Sequence, residues 1–538
     1  MLRPPPGRPG WHAVVGWILV VPAFVLLLTS YVEPLYWNAR GSFQNLSFLD
    51  KGSQAGWVGF HNYGVVFERG LGGAIGRALL LGLVPLAAVL VLAPVLAWLA
   101  HRGGTAGRWA ARGVLALPVA AYAPTAAAIG LQMPDQASSR EYDPPSTTVT
   151  YWLTGFGLAA ALGVTIYLAA LRRREAGRNP VPALLVAGAV AGATVLALAL
   201  QSFTVPFVSG AWGRKADSRT PLLLMYEYGF GMFRVGTAAA VATVLLLILM
   251  LLGLGVTLLL VLSRARLEFD DTPPPAARAG ATAGWLAGTG VLVVLVLGLW
   301  WLGVGDWLTH ITDAGELPGR ANQVGVNTWV PPLISAAVGV TVAALAAFGI
   351  SGLRPLGTRS EWLLVPFGLF LFVGVGPLAV REFAAARDAG MIDKFLGLVP
   401  PGRVAIPALL ILALLLRGQA MRRETALQEG RPASWARTIL PVLPMVLLAY
   451  LVTWVVAAQD LLWGLLIGGQ DRVDAQNVLV VSLVEAAYNA RFDVPFAAVL
   501  PIWALVLLVL AVVAAQLAYL DRVALRVGAP ERDHPPRT

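Results

Sequence analysis

Long uninterrupted apolar runs, separated by short polar and basic stretches, dominate the chain. Crossing a hydrocarbon core takes about 20 apolar residues as a helix. About twelve runs approach or exceed that length, at roughly 12–32, 75–100, 113–132, 150–171, 181–203, 236–263, 283–304, 330–351, 362–380, 403–417, 438–458 and 495–520. The tenth is the shortest. None alternates with a period of two, so the pattern predicts helices and not a β-barrel. The expected fold is an all-α polytopic membrane protein with about twelve transmembrane helices.

Composition agrees with this pattern and removes several function classes. Of 538 residues, 57% are hydrophobic and 13% charged, about half the charged share of a soluble chain, so the lipid bilayer is the expected solvent for most of the surface. The absence of Cys excludes disulfides, thiolate metal sites and a thiol nucleophile. The net charge of +10 comes from 39 basic residues, of which only Lys51, Lys215 and Lys394 are lysines. The arginines sit in short clusters between apolar runs, which is unlike a nucleic-acid surface, and no nucleic-acid partner is expected.

Those clusters set the expected orientation, because cytoplasmic loops keep an excess of Arg and Lys. One set of connections is basic: Arg102, Arg108 and Arg112; Arg172, Arg173, Arg174 and Arg178; Arg417, Arg422, Arg423, Arg431 and Arg437. The alternate set is balanced or acidic, as in Asp135, Arg140, Glu141 and Asp143, or Asp306, Asp313, Glu316 and Arg320. Both termini are therefore expected in the cytoplasm. The first run has a basic start at Arg3 and Arg8 but no small-residue cleavage site after it, and it reads as a retained helix.

The chain also carries an internal duplication. The stretch 264–280, with Asp270, Asp271 and three consecutive prolines from Pro273, separates six runs from six. A gapless shift of 258 residues places Gln201 on Gln459, Gly210 on Gly468, Arg214 on Arg472 and Glu227 on Glu485, with Ala239 and Ala240 on Ala497 and Ala498. The expected organisation is a first transmembrane unit at 1–268, a Pro-rich cytoplasmic linker at 269–281 and a second unit at 282–538, in the same orientation. Parallel repeats of this kind place a substrate path at their interface near the midplane. The repeat is unequal in one loop. Arg173, Arg174 and Glu175 match Arg422, Arg423 and Glu424 at a shift of 249, so the first unit is nine residues shorter there.

The longer loop reads Glu424, Thr425, Ala426, Leu427, Gln428, Glu429 and Gly430, and continues through Trp435 to Leu440 and Pro441. It resembles the EAA loop of binding-protein-dependent ABC importer permeases, with Thr425 in place of an Ala and Glu429 in place of the usual Asp. Other stretches are similar to the maltose-type, carbohydrate-uptake branch of that family. They are Ser42 and Phe43 with Val58 to Tyr63, Thr220 to Glu227 with Gly236 to Ala240, Asn327 with Thr328, Gly390 to Leu398, and Gln459 to Trp463. The resemblance implies two normally separate permease subunits fused in one chain. It further implies a bacterial cytoplasmic membrane location, a cytoplasmic ABC ATPase dimer and an extracytoplasmic solute-binding protein as partners, and a small-molecule solute, a carbohydrate, moved by alternating access.

In that family the loop is a short helix that docks into the ATPase. Glu424, Ala426, Glu429, Gly430 and Pro441 would form it here, with Gly430 ending the helix. In the first unit only Glu175, Ala176 and Gly177 precede Asn179 and Pro180, too short for a docking helix. The alternative for the longer loop is an ordinary basic cytoplasmic connection. The segments 133–148 and 381–400 would face the solute-binding protein.

No resident chemistry is expected. A P-loop needs Gly-Lys before Ser or Thr, and no Lys here follows a Gly, so the chain reads as a non-enzyme whose ATP hydrolysis belongs to a separate partner. No cofactor is expected, and the five His and the carboxylates show no metal-ligand or catalytic spacing. Polar side chains within spans are costly and face cavities or partners. Gln201 and Ser202 close the fifth run, and Gln459 and Asp460 end the eleventh. They are candidates for a solute path; the alternative is that they cap helices or bond between them. Two further readings stay open: an ion-coupled secondary transporter, for which Asp460 is the nearest mid-span ionisable group, and a decayed permease serving as a scaffold.

Overall fold

The computed structural model describes residues 10–49, 56–132, 145–172, 179–210, 218–270, 279–312, 321–468 and 496–528. The fold is helical because in lipid every backbone N–H and C=O must be satisfied within its own segment. Nine helices among the described residues are long and apolar enough to cross a membrane. They are α1 (Trp11–Gly41), α2 (Leu71–Arg102), α5 (Thr147–Leu171), α6 (Val181–Ser209), α7 (Val235–Leu262), α8 (Thr282–Thr309), α9 (Gln323–Leu353), α11 (Trp435–Ala458) and α12 (Ile502–Arg522). A tenth candidate is a pair, α3 (Gly104–Ala120) and α4 (Pro124–Gln132), bent by 76° at its break. Large apolar side chains such as Leu185, Leu251, Val294 and Leu447 stay exposed on these helices, as on a surface that lipid covers.

Two of the expected spans depart from this form. The run 362–380 is broken into a 3₁₀ helix at Gly357–Leu364, one α-turn at Val365–Gly368, a 3₁₀ turn at Gly376–Leu378 and a helix at Ala379–Asp388. Pro366 and Pro377 remove backbone donors, and Gly368, Gly374 and Gly376 weaken what helix remains. The break lets this segment lie close to α7, where a Cβ on Gly253 would overlap the Gly368 carbonyl and one on Gly368 would overlap Thr257. The run 403–417 becomes a longer helix, α10 (Ile406–Gln428), with Arg417, Arg422 and Arg423 in its second half. Twelve continuous apolar spans are therefore not what the described residues present.

The first helix of each sequence segment packs on the other segment. α1 lies against α9, where Gly16 and Gly349 bring the two backbones together. α8 lies against α2, α3, α4 and α5. Its contact with α5 is reciprocal, since a Cβ on Gly157 would strike the Trp300 indole and one on Gly303 would strike the Leu153 carbonyl. Small residues at such crossings allow close van der Waals packing, which drives helix association in lipid.

Each segment then ends in a short strand. β1 (Arg266–Phe269) follows α7, β2 (Val523–Arg526) follows α12, and they pair antiparallel with Arg266 opposite Arg526 and Phe269 opposite Val523. The Asp270 N–H continues the ladder by donating to the Arg522 carbonyl at 2.8 Å. The start of the expected linker at 269–281 is thus part of this ribbon. The largest buried apolar cluster draws on both segments, from Val20 to Val523.

Candidate functional site: the basic helix ends

One end of the helix bundle collects the arginines of the basic connections. Arg108 and Arg112 on α3 and Arg172 at the end of α5 converge on Asp521, at 3.1, 3.5 and 3.5 Å. All four are at least nine-tenths buried. Arg172 donates to the backbone carbonyls of Asp521 and Asp270, and Arg112 donates to Gln516 at 2.8 Å. One carboxylate thus gathers three buried guanidiniums from the first segment onto the last helix of the second.

A second cluster lies where α10 meets the start of the ribbon. Arg417 pairs with Glu361 at 3.0 Å and donates to the Ala265 carbonyl at 3.2 Å. Arg354, which ends α9 with a left-handed φ of 51°, pairs with Glu361 at 3.6 Å and with Glu424 at 3.1 Å. Of the loop residues expected to form a docking helix, Glu424 is therefore an ion-pair partner on the last turns of α10, with its side chain about half exposed.

The segment 424–428 continues α10 and is not a separate helix. Its end is built by Gly430, whose φ of +70° is the left-handed conformation that favours glycine. The Gly430 N–H donates to Leu427 O at 3.2 Å and the Arg431 N–H to Ala426 O at 2.8 Å. This is a Schellman cap, with Glu429 as the C-cap residue. Glu429 itself pairs with Arg431. The Ser434 hydroxyl then caps the start of α11 by accepting from Arg437 N. Pro441 lies in a 3₁₀ turn near the start of α11, and its carbonyl accepts from the Tyr519 hydroxyl at 2.8 Å. Ala426 and Pro441 line one cavity of about 640 Å³. The structure thus brings these two together and points Glu424 away toward Arg354.

The candidate path residues lie at the opposite helix ends, and each is engaged with backbone. Gln201 donates to Phe372 O at 2.7 Å and accepts from Gly374 N at 2.9 Å, bridging α6 to the broken segment. Ser202 donates to Ala199 O, and its own carbonyl accepts from Thr220. Gln459 is buried and reaches Val499 O at 3.4 Å. Asp460 accepts from Leu462 N at 3.0 Å as the N-cap of the Leu461–Ile467 helix. In this conformation the four act as caps and interhelical ties.

Glu227, repeat partner of Glu485, sits before α7 and pairs with Arg219 at 3.2 Å. Burial pushes its carboxyl above the ordinary range, and the Arg219 guanidinium opposes that shift. Arg214, Arg472, Glu485, the short loop at Glu175 to Gly177 and most of 133–148 lie outside the described residues. The segment 381–400 holds most of the Ala379–Asp388 helix and a 3₁₀ turn at Phe395–Leu398, and Arg381 there pairs with Glu33 of α1 at 2.8 Å.

Sequence reasoning missed Asp521, Glu361 and Arg354. The available signal was a lone carboxylate directly after an apolar run, set among basic connections. No family model and no curated protein matches this chain.

Proposed function

We propose that this protein is the transmembrane component of a binding-protein-dependent ABC importer, two permease units fused in one chain, in a bacterial cytoplasmic membrane with both termini in the cytoplasm. It would carry a small polar solute, a carbohydrate in the first instance, by alternating access. The observation that carries the reading is the end of α10. A helix with an acidic residue near its end, a Schellman glycine and a capped restart is presented on the basic end of the bundle, where a cytoplasmic ATPase would meet it. Two features support it: the reciprocal packing of each segment's first helix on the other segment, and the antiparallel pairing of the strands that follow α7 and α12. Both suit parallel repeats about a common axis.

Alternating access in this frame needs force at the α10 end to reach the other end of the bundle. Glu424, Arg354, Glu361 and Arg417 tie α10 to α9 and to the ribbon, so displacement of the α10 end would move these elements together. The path would open where Gln201 and Gln459 exchange backbone partners for solute hydroxyls. Asp460 serves as a helix cap, which gives the ion-coupled alternative less support. The test is co-purification with an ABC ATPase. Retention by the native chain and loss on Gly430→Pro supports the reading, and absence of any ATPase from the native chain in nanodiscs refutes it.

A further inference from the structure

Among the described residues, the cavity of about 640 Å³ beside the α10 end is lined by Arg422, Arg423, Arg431, Arg437 and Arg522, and by no carboxylate. Among the described residues Arg422, Arg423 and Arg437 have no carboxylate partner. Arg423 lies over the Trp435 ring at 4.1 Å, which orients its guanidinium without neutralising it. Gln419, also on the wall, is only 5% exposed, and its amide Nε2 is sheltered from solvent with no hydrogen-bond partner. A buried amide donor left unpaired is costly. Arg431 is paired with Glu429, and the guanidiniums of Arg422, Arg423 and Arg437 repel each other until an anion enters. Planar guanidinium forks and an amide donor together suit phosphate oxygens.

The remaining walls say which phosphate. Leu440, Pro441, Pro444 and Tyr519 line the apolar side. From the rim, Leu440, Leu443 and Leu447 follow one another along α11 with exposures of 68%, 45% and 68%, spaced as neighbours on one helical face. A soluble phosphate has no use for that track, whereas an acyl chain does. We infer that the cavity between the ends of α10, α11 and α12 binds the phosphate headgroup of an anionic phospholipid, with an acyl chain laid along Leu440, Leu443 and Leu447. Basic pockets between membrane helices recognise such headgroups. The inference requires only that the helices span a bilayer, and it holds whether or not the chain is an importer.

The test uses the full chain, delipidated in detergent and titrated with phosphatidylglycerol, phosphatidylcholine or glycerol phosphate, with bound species counted by native mass spectrometry. Phosphatidylglycerol is expected to bind at least tenfold more tightly than phosphatidylcholine, and glycerol phosphate to bind weakly. Arg422→Gln with Arg437→Gln should weaken phosphatidylglycerol roughly 25-fold, about fivefold per arginine, without moving the melting midpoint in phosphatidylcholine nanodiscs. Gln419→Met keeps the volume, removes the amide, and should weaken binding severalfold; it serves if the double variant does not fold. Equal affinity for the two lipids overturns the inference. So does unchanged phosphatidylglycerol affinity in the variants, or glycerol phosphate binding as tightly as the lipid. Absence of any ATPase from the native chain, with lipid binding intact, would sink the importer reading alone.

Discussion

Asp521→Ala is expected to be the most damaging single substitution of a charged residue at the basic end. The carboxylate holds Arg108 at 3.1 Å and Arg112 and Arg172 at 3.5 Å, and it also accepts from the Trp109 indole at 3.4 Å. The three arginines are 2%, 2% and 4% exposed, so water cannot replace the lost charge. Removing one partner of a buried pair costs about 3–5 kcal/mol because the remaining charge is stranded, and here three are stranded, which places the expected loss at the upper end of that range. Asp521→Asn keeps an acceptor but not the charge and should cost about half as much. Adding Arg112→Met to Asp521→Ala removes one stranded cation and should recover part of the loss, so the two changes will not be additive. Tryptophan fluorescence during reversible unfolding in mixed micelles reads the five proteins: native, Asp521→Ala, Asp521→Asn, Arg112→Met and the double variant. A loss below about 1 kcal/mol for Asp521→Ala, the size of an exposed pair, would refute the reasoning, as would strict additivity in the double variant.

Further outcomes follow from the same geometry. Gly157→Leu places a side chain where Trp300 stands, and overpacking of this kind costs about 1–3 kcal/mol or more; Gly157→Leu with Trp300→Ala should recover part of it in the same unfolding assay. Gly430→Ala forces a Cβ into a left-handed φ of +70° and should cost about 1 kcal/mol, readable as faster amide exchange at Gly430 and Arg431 with α9 unaffected. The Glu227 carboxyl is raised above its ordinary value of 4.5 by burial, so the folded state holds its proton more tightly than the unfolded state. That contribution is full below the ordinary value and is lost as pH rises through the raised one; melting midpoints of the native chain and Glu227→Gln should diverge across that window and run parallel above it. Parallel curves throughout would contradict the shift.

The helical class and most of the spans were legible because lipid imposes one rule, a long apolar run with an internally bonded backbone. Runs such as 236–263 met it almost to the residue, as α7 (Val235–Leu262). The run 362–380 also met the apolar criterion, but its two prolines and its glycines serve close backbone contact with α7, which hydrophobicity does not register. The bend between α3 and α4 escaped for a similar reason, with Pro118 and Pro124 as its local marks. The ribbon of β1 and β2 consists of two four-residue strands, too short to show a period. At the loop, Gly430 was read correctly as a helix end, because a Schellman cap has a local sequence signal. The partner of Glu424 was not, since Arg354 stands 70 positions away and only tertiary packing joins them. Gln201 and Gln459 follow apolar runs and are the C-cap residues of the helices Val181–Leu200 and Leu443–Ala458, and with Ser202 and Asp460 they find backbone partners.

The most direct measurement is uptake into proteoliposomes holding the full chain, any ABC ATPase that co-purifies with it and a candidate solute-binding protein. The account predicts solute accumulation that requires ATP and the binding protein, persists after ionophores collapse every ion gradient, and is abolished by Gly430→Pro. Uptake driven by an imposed ion gradient without ATP would contradict it.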